Sequence, residues 1–220
     1  VTGVQTCALP IFPLIRARGR DESPRMKRRP LASLLVVGLL VGLGSMGGCT
    51  SPIPNRVPVG ETFPTVEAEP LDAASRDDWE TIPGDFAGSP LLLLVGYVQD
   101  TQFDIDRWLF GVLDADLDVT LREVPAARGM AARMASGFID SGMRRGIPKV
   151  EWGAVTTTYG DRAESIARFT GTERPRNARV LLLDGEGVVR WFHDEGFSAA
   201  TLIELRGVIE ALRSPASSGD

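Results

Sequence analysis

Residues 182–191, LLDGEGVVRW, decide the fold. Two strand-like runs, 180–184 and 188–192, flank Gly185-Glu186-Gly187, and glycine accepts the positive φ angles of a tight turn. The stretch predicts an antiparallel hairpin. On its C-terminal side Ser198 precedes Leu202, Leu205, Ile209 and Leu212 at helical spacing. A helix capped by Ser198 should therefore close the chain. On its N-terminal side, residues 90–98 (PLLLLVGYV) form a short apolar run after a Gly-Ser-Pro break. That is the pattern of a strand buried on both faces.

Strand and helix signals alternate in between. Residues 104–113 (DIDRWLFGVL) place Ile105, Trp108, Leu109 and Val112 on one helical face. Residues 119–124 (VTLREV) and 154–159 (AVTTTY) carry strand composition. Residues 126–146 read as one helix, with Met130, Met134 and Phe138 at steps of four. Asp161 can cap a helix running to about Phe169. The order β-α-β-α-β-α-β-β-α predicts an α/β sandwich of three layers. Its sheet should be mostly parallel, with a C-terminal antiparallel hairpin and a closing helix.

The N-terminal region divides by composition. Residues 1–11, VTGVQTCALPI, match the translation of a common sequencing-adapter oligonucleotide, and 12–25 are basic and aperiodic. Residues 1–25, with Cys7, are read as foreign to the native protein, which would start at Met26. Residues 26–48 follow a secretory pattern: Lys27-Arg28-Arg29, an uncharged apolar run over 31–48, then small residues. The end of that run, Met46-Gly47-Gly48-Cys49, resembles a bacterial lipoprotein signal. The resemblance implies acylation of Cys49 and a membrane tether; lipoproteins usually carry Leu where Met46 stands. Residues 49–64 are proline-rich and read as a spacer, 65–213 as the domain, and 214–220 (SPASSGD) as a frayed tail.

Residues 1–49 hold seven of the 24 basic and two of the 29 acidic side chains. The remainder keeps 17 basic and 27 acidic, a net charge near −10. Such a domain lacks the electrostatic footprint of a nucleic-acid binder. It would also be repelled by anionic headgroups, so a lipid tether is the simpler route to a membrane.

The strand order, the leading Val59-Gly60-Glu61-Thr62-Phe63-Pro64 and the 182–191 block together resemble the redoxins. These are the peroxiredoxin and TlpA-type branch of the thioredoxin superfamily. The likeness spans roughly 59–212 and implies a thioredoxin-like fold. A cysteine-free body with the 182–191 block is also similar to a mitochondrial ATP synthase assembly-factor family. A redoxin places a cysteine where its first core strand runs into a helix, because helix N-terminal amides stabilise a thiolate. Residues 99–106 (QDTQFDID) carry no sulfur there, and Cys49 follows the signal rather than lying in the domain. Nor does a proline stand at Asn177-Ala178-Arg179, where a thioredoxin has its cis-proline; Pro175 comes early.

The resemblance therefore implies a domain without thiol chemistry, catalytic residues or cofactor. Its old active-site edge would serve as a binding surface: Asp100, Thr101, Gln102, Phe103, Asp104, Asn177, Arg179 and His193. Arg144 and Arg145, beside Met143 and Ile147, make a basic-apolar spot suited to docking a protein. Equally, the arginines offset a helix C-terminal dipole while Met143 and Ile147 are core. Trp152 and Trp191 are core residues or interface anchors. Three functions stay open at this point. One is a lipid-anchored binding or assembly module of a bacterial envelope, facing the periplasm, with Thr50 compatible with outer-membrane sorting. The second is an enzyme or cation binder using Asp100, Asp104 or His193. A metal site needs at least three good ligands, and one histidine with carboxylates could hold only a hard cation loosely; Asp104 would otherwise cap a helix, and His193 sit in a solvated turn. The third is a structural envelope lipoprotein.

Overall fold

The computed structural model describes residues 51–213. The readings of residues 1–25, 26–48, Cys49 and 214–220 lie outside the described residues.

Seven strands form one sheet in the order β2-β1-β5-β4-β3-β6-β7. They are β1 (Val66–Pro70), β2 (Glu80–Ile82), β3 (Leu91–Gly96), β4 (Thr120–Ala127), β5 (Thr156–Tyr159), β6 (Arg179–Leu183) and β7 (Val189–His193). The α-helices are α1 (Gln102–Asp114), α2 (Gly129–Met134), α3 (Ser136–Gly146), α4 (Asp161–Thr170) and α5 (Ala199–Arg213). The sheet is mixed rather than mostly parallel. Its middle pairings, β3 with β4 and β4 with β5, are parallel. The flanking pairings, β1 with β2, β1 with β5, β3 with β6 and β6 with β7, are antiparallel.

The four-leucine run shows why the sheet is covered on both sides. Leu91, Leu93 and Val95 point into one cluster with Leu181, Leu183, Val124, Ala163 and Ile166, under α4. Leu92 and Leu94 point the other way, to Val180, Leu182, Ile105, Trp108, Leu205 and Ile209, under α1 and α5. A side-chain period of two sends successive residues to opposite faces, so a continuous apolar run is needed when both faces are packed. The fold is therefore helices, sheet, helices, as the element order predicts.

The hairpin at 182–191 forms with Leu182 opposite Trp191. Its turn is held by Asp184, whose carboxylate accepts the amides of Glu186 and Val188, both at 2.9 Å, and pairs with Arg190 at 2.5 Å. Of the two turn glycines it is Gly187 that needs a positive φ, at 78°. Ser198 caps α5, its hydroxyl accepting the Thr201 amide at 3.1 Å.

Other expectations are corrected. The β1–β2 hairpin was not foreseen. Proline does not stop the strand at residue 124; β4 runs through Pro125 to Ala127, and Pro125 sits opposite Gly96 at the last register position of the β3 pairing. The long helix over 126–146 is two helices behind Gly129, whose φ is +86°. Met130, Met134 and Phe138, at steps of four along them, are exposed. Asp161 opens α4 without capping it; the cap position is Gly160, which makes no side-chain bond. The spacer reading of 49–64 also changes. The Ile53 amide donates to the Thr172 hydroxyl at 2.9 Å, the Ile53 carbonyl accepts the Thr172 amide at 2.8 Å, and Phe63 is buried.

Candidate functional site

β3 ends at Gly96, a short turn over Gln99–Thr101 follows, and α1 begins. Gly96 belongs there because an added Cβ would lie 3.0 Å from Ile105 and 3.4 Å from Thr101. Thr101 is buried, and its hydroxyl donates to the Pro175 carbonyl at 2.7 Å. This ties the start of α1 to the loop before β6.

Asp104 makes the second tie. It is buried, and each carboxylate oxygen accepts one backbone amide: Ala178 at 2.9 Å and Phe197 at 2.8 Å. Asp104 thus braces three chain segments instead of capping its helix or facing water.

Arg179 lies beneath, fully buried on β6. It donates to the carbonyls of Gly171, Arg174 and Asn177 and to the side chain of Asn55, at 2.7–3.2 Å. Burial holds its pKa below the ordinary arginine value, with nearby Tyr97 and the Asp194 carboxylate opposing. Asn55 also donates to Asp194 at 2.7 Å and accepts the Glu173 amide at 2.9 Å. The 53–55 segment is thereby strapped across the base of the loop before β6.

Above these ties lies an open cleft of about 540 Å³. Its walls are Asp100, Phe103, Asp104 and Arg107 from α1 and the turn before it, Arg176 and Asn177 from the loop before β6, and Glu195, Gly196 and Phe197 after β7. Asp100 and Arg176 form an exposed ion pair at 3.3 Å across the rim. Phe103 is 74 % exposed at the mouth. Charges of both signs beside an aromatic ring suit recognition of another molecule's surface.

The expected site residues separate accordingly. Asp100, Phe103, Asp104 and Asn177 meet at the cleft. Gln102 is exposed on α1 and donates to Asp106 at 2.9 Å. Thr101, Asp104 and Arg179 are buried and so offer bracing rather than a docking surface. Arg144 and Arg145 belong to α3; Arg144 donates to the Leu71 carbonyl at 2.7 Å, and Arg145 is exposed. His193 is no turn residue. It ends β7, half-buried, its Nε2 2.8 Å from the Gly196 carbonyl and its ring stacked on Trp191 at 5.8 Å. Trp191 packs partly buried against the α1–α5 core, and Trp152 donates to the Ile147 carbonyl at 3.0 Å. The sequence reading missed Arg107, Arg176, Glu195 and Phe197. Arg107 stands four residues after Phe103, so helical spacing could have found it; the others lie in loops that no local pattern places.

Asp100, Asp104 and Asp106 do not converge, because each is bound to a different partner. Among the described residues, no three His, Cys, Asp or Glu side chains are grouped to hold a metal ion. Nor is any helix there long and apolar enough to cross a membrane.

No family model matches this sequence, and no curated protein matches it. Solved structures do. An uncharacterized conserved protein from Geobacillus kaustophilus aligns at TM-score 0.50 with 10 % identity, covering 74 % of this chain and 87 % of its own. A thiol peroxidase from Chromobacterium violaceum aligns at 0.48 and 14 %, covering 75 % and 95 %. Copper-bound yeast Sco1 aligns at 0.48 and 13 %, covering 74 % and 99 %. At these identities the likeness concerns the fold alone. The chain is an α/β protein of thioredoxin-like fold, with a seven-stranded mixed sheet and helices on both sides.

Proposed function

We propose that this chain is a lipid-anchored envelope module that binds or helps assemble another membrane or envelope protein, without thiol redox chemistry. The observation that carries the proposal is Asp104. Near the point where α1 begins, a buried carboxylate accepts two backbone amides and closes the ground beneath the cleft. The sequence has cysteine at positions 7 and 49 only, so no thiol belongs to residues 50–220. What the cleft offers is paired charge and an exposed ring, which supports recognition rather than turnover. The lipobox-like run ending at Cys49 supports anchoring, with the domain facing the periplasm.

Two measurements test this. The purified protein should reduce insulin and consume peroxide at the buffer rate; turnover above buffer overturns the non-redox reading. Cross-linking in detergent-solubilised membranes should recover a protein partner that Phe103→Asp with Arg107→Glu releases while the fold stays intact. If no partner recurs, a purely structural lipoprotein is the better description.

A further inference from the structure

α2 and α3 lie against β5 without joining either apolar core. α2 buries no side chain, and α3 buries only Asp140 and Gly142. Among the described residues, neither core cluster contains a residue of the two helices, and Ile139 and Met143 are only half-buried. A segment with few buried apolar contacts opens before the rest of a domain, because little burial is lost when it leaves. The pair also has a backbone break at each end. Gly129, at φ +86°, precedes it, and the extended Ile147 followed by Pro148 ends it.

Two polar ties reach from α3 to the sheet. The Tyr159 hydroxyl on β5 donates to the Asp140 carboxylate at 2.5 Å, and Arg144 donates to the Leu71 carbonyl, just past β1, at 2.7 Å. Glu69 of β1 stands opposite Thr157 of β5, and a side-chain period of two puts Tyr159 on the same face. Asp140 is therefore met by Tyr159 and Thr157 from β5, by Glu69 from β1 and by Arg144 from its own helix. Glu69 is met by Arg76 and Arg162 as well. Two carboxylates thus share one covered interface. Burial raises the pKa of both, and Asp140 adds to the rise at Glu69; Tyr159, Thr157 and the arginines oppose it.

We propose that α2 and α3 form a flap that opens from β5 while the sheet stays folded, with the Asp140–Tyr159 hydrogen bond as its latch and rising pH as its release. Closed, the interface keeps protons that solvated carboxylates shed. Opening therefore releases protons between the ordinary values, 3.8 for Asp140 and 4.5 for Glu69, and the raised ones. Within that window each proton released multiplies the open fraction by up to about ten per pH unit. Opening uncovers Tyr159, Thr157 and Glu69 and leaves both apolar clusters packed.

Hydrogen exchange of the purified protein tests this, read as protection factors so that the intrinsic pH dependence is removed. Amides 140–146 in α3 should be at least about tenfold less protected than those of Leu93 on β3 and Leu181 on β6, which open with the whole domain. Their protection should fall further as pH rises from about 4, by up to about tenfold per unit for each proton. Asp140→Asn, which still offers Tyr159 an acceptor oxygen, should weaken that slope, and Asp140→Asn with Glu69→Gln should abolish it. Tyr159→Phe deletes the latch donor and should lower α3 protection about tenfold at low pH. Equal protection in α3 and at Leu93 and Leu181 overturns the flap, since the helices would then leave only when the domain unfolds. A flat wild-type profile, or a slope unchanged by the double variant, overturns the release by pH. Unchanged α3 protection in Tyr159→Phe overturns the latch, whether or not the double variant folds.

Discussion

Asp104 and Ala178 are 74 residues apart, and the carboxylate of one accepts the main-chain amide of the other at 2.9 Å. With the Phe197 amide on its second oxygen, Asp104 satisfies two donors that water would otherwise have to reach. Removing it should cost more than removing a surface carboxylate. Asp104→Ala is expected to destabilise the fold by about 2–4 kcal/mol, because two amides lose a charged acceptor. Asp104→Asn keeps one acceptor oxygen and should cost about half as much. Chemical denaturation of both variants measures the difference, and an Asp104→Ala midpoint equal to wild type would contradict the bracing role.

Glu123 on β4 is buried, and desolvation raises its pKa from the ordinary 4.5 to about 7; the nearby charges of Asp106 and Glu151 add to the rise, and Gln102 opposes it. Between those values the folded chain keeps the proton and the unfolded chain has released it. Stability from this group is therefore full below pH 4.5 and is lost as pH rises through 7, by about 3 kcal/mol in all. Burial raises Glu69 and Asp140 as well, in the same sense. Glu123→Gln should flatten most of the decline between pH 4.5 and 8 and leave the variant more stable than wild type at pH 8. Parallel pH-denaturation slopes for the two proteins would refute this.

The 53–55 strap is a separate element with its own weak point. Asn55→Ala removes acceptors for Arg179 and Glu173 and a donor for Asp194. The expected cost is about 1–3 kcal/mol, together with faster proteolysis near residue 53. Gly171→Ala should act alike without touching those side chains. Its φ is +80°, and the new Cβ would stand 2.3 Å from the Asn55 Cα. Limited proteolysis checks both, and unchanged cleavage in Gly171→Ala would show that the strap does not depend on this close approach.

Trp108 is fully buried in the α1–α5 core, its ring edge-on to Trp191 and Phe197. Its Nε1 has no hydrogen-bond partner among the described residues. Trp108→Phe removes that unsatisfied donor while keeping an aromatic ring, so it should cost under about 1.5 kcal/mol. Trp108→Ala leaves a cavity and should cost about 3–5 kcal/mol. Thermal melts of the pair would separate loss of volume from loss of a polar contact.

Much of the fold was legible because its signals are local. The four leucines, the turn at 185–187 and the Ser198 cap each act within a few residues, and each forms as read. The first strand was missed although Val66, Ala68 and Pro70 alternate inward. Alanine and proline are poor strand formers, and the pairing with β5 supplies what they lack. Met130, Met134 and Phe138 illustrate a different limit. Spacing of four establishes that residues share a helix face; it carries no information on whether that face meets the core or solvent.

The sequence by itself determined an α/β chain with a buried central strand, a closing hairpin and helix, an acidic body and no cysteine after residue 49. Periodicity, turn chemistry and composition are properties of neighbouring residues, so they survive without coordinates. The tertiary structure decided that Asp104 braces instead of caps, that Arg179 is interior, and that Arg107, Arg176 and Glu195 line one cleft. Those outcomes depend on loops from three parts of the chain converging at the end of β3. Hydrogen-bond partners that far apart are chosen by packing, which no local pattern encodes.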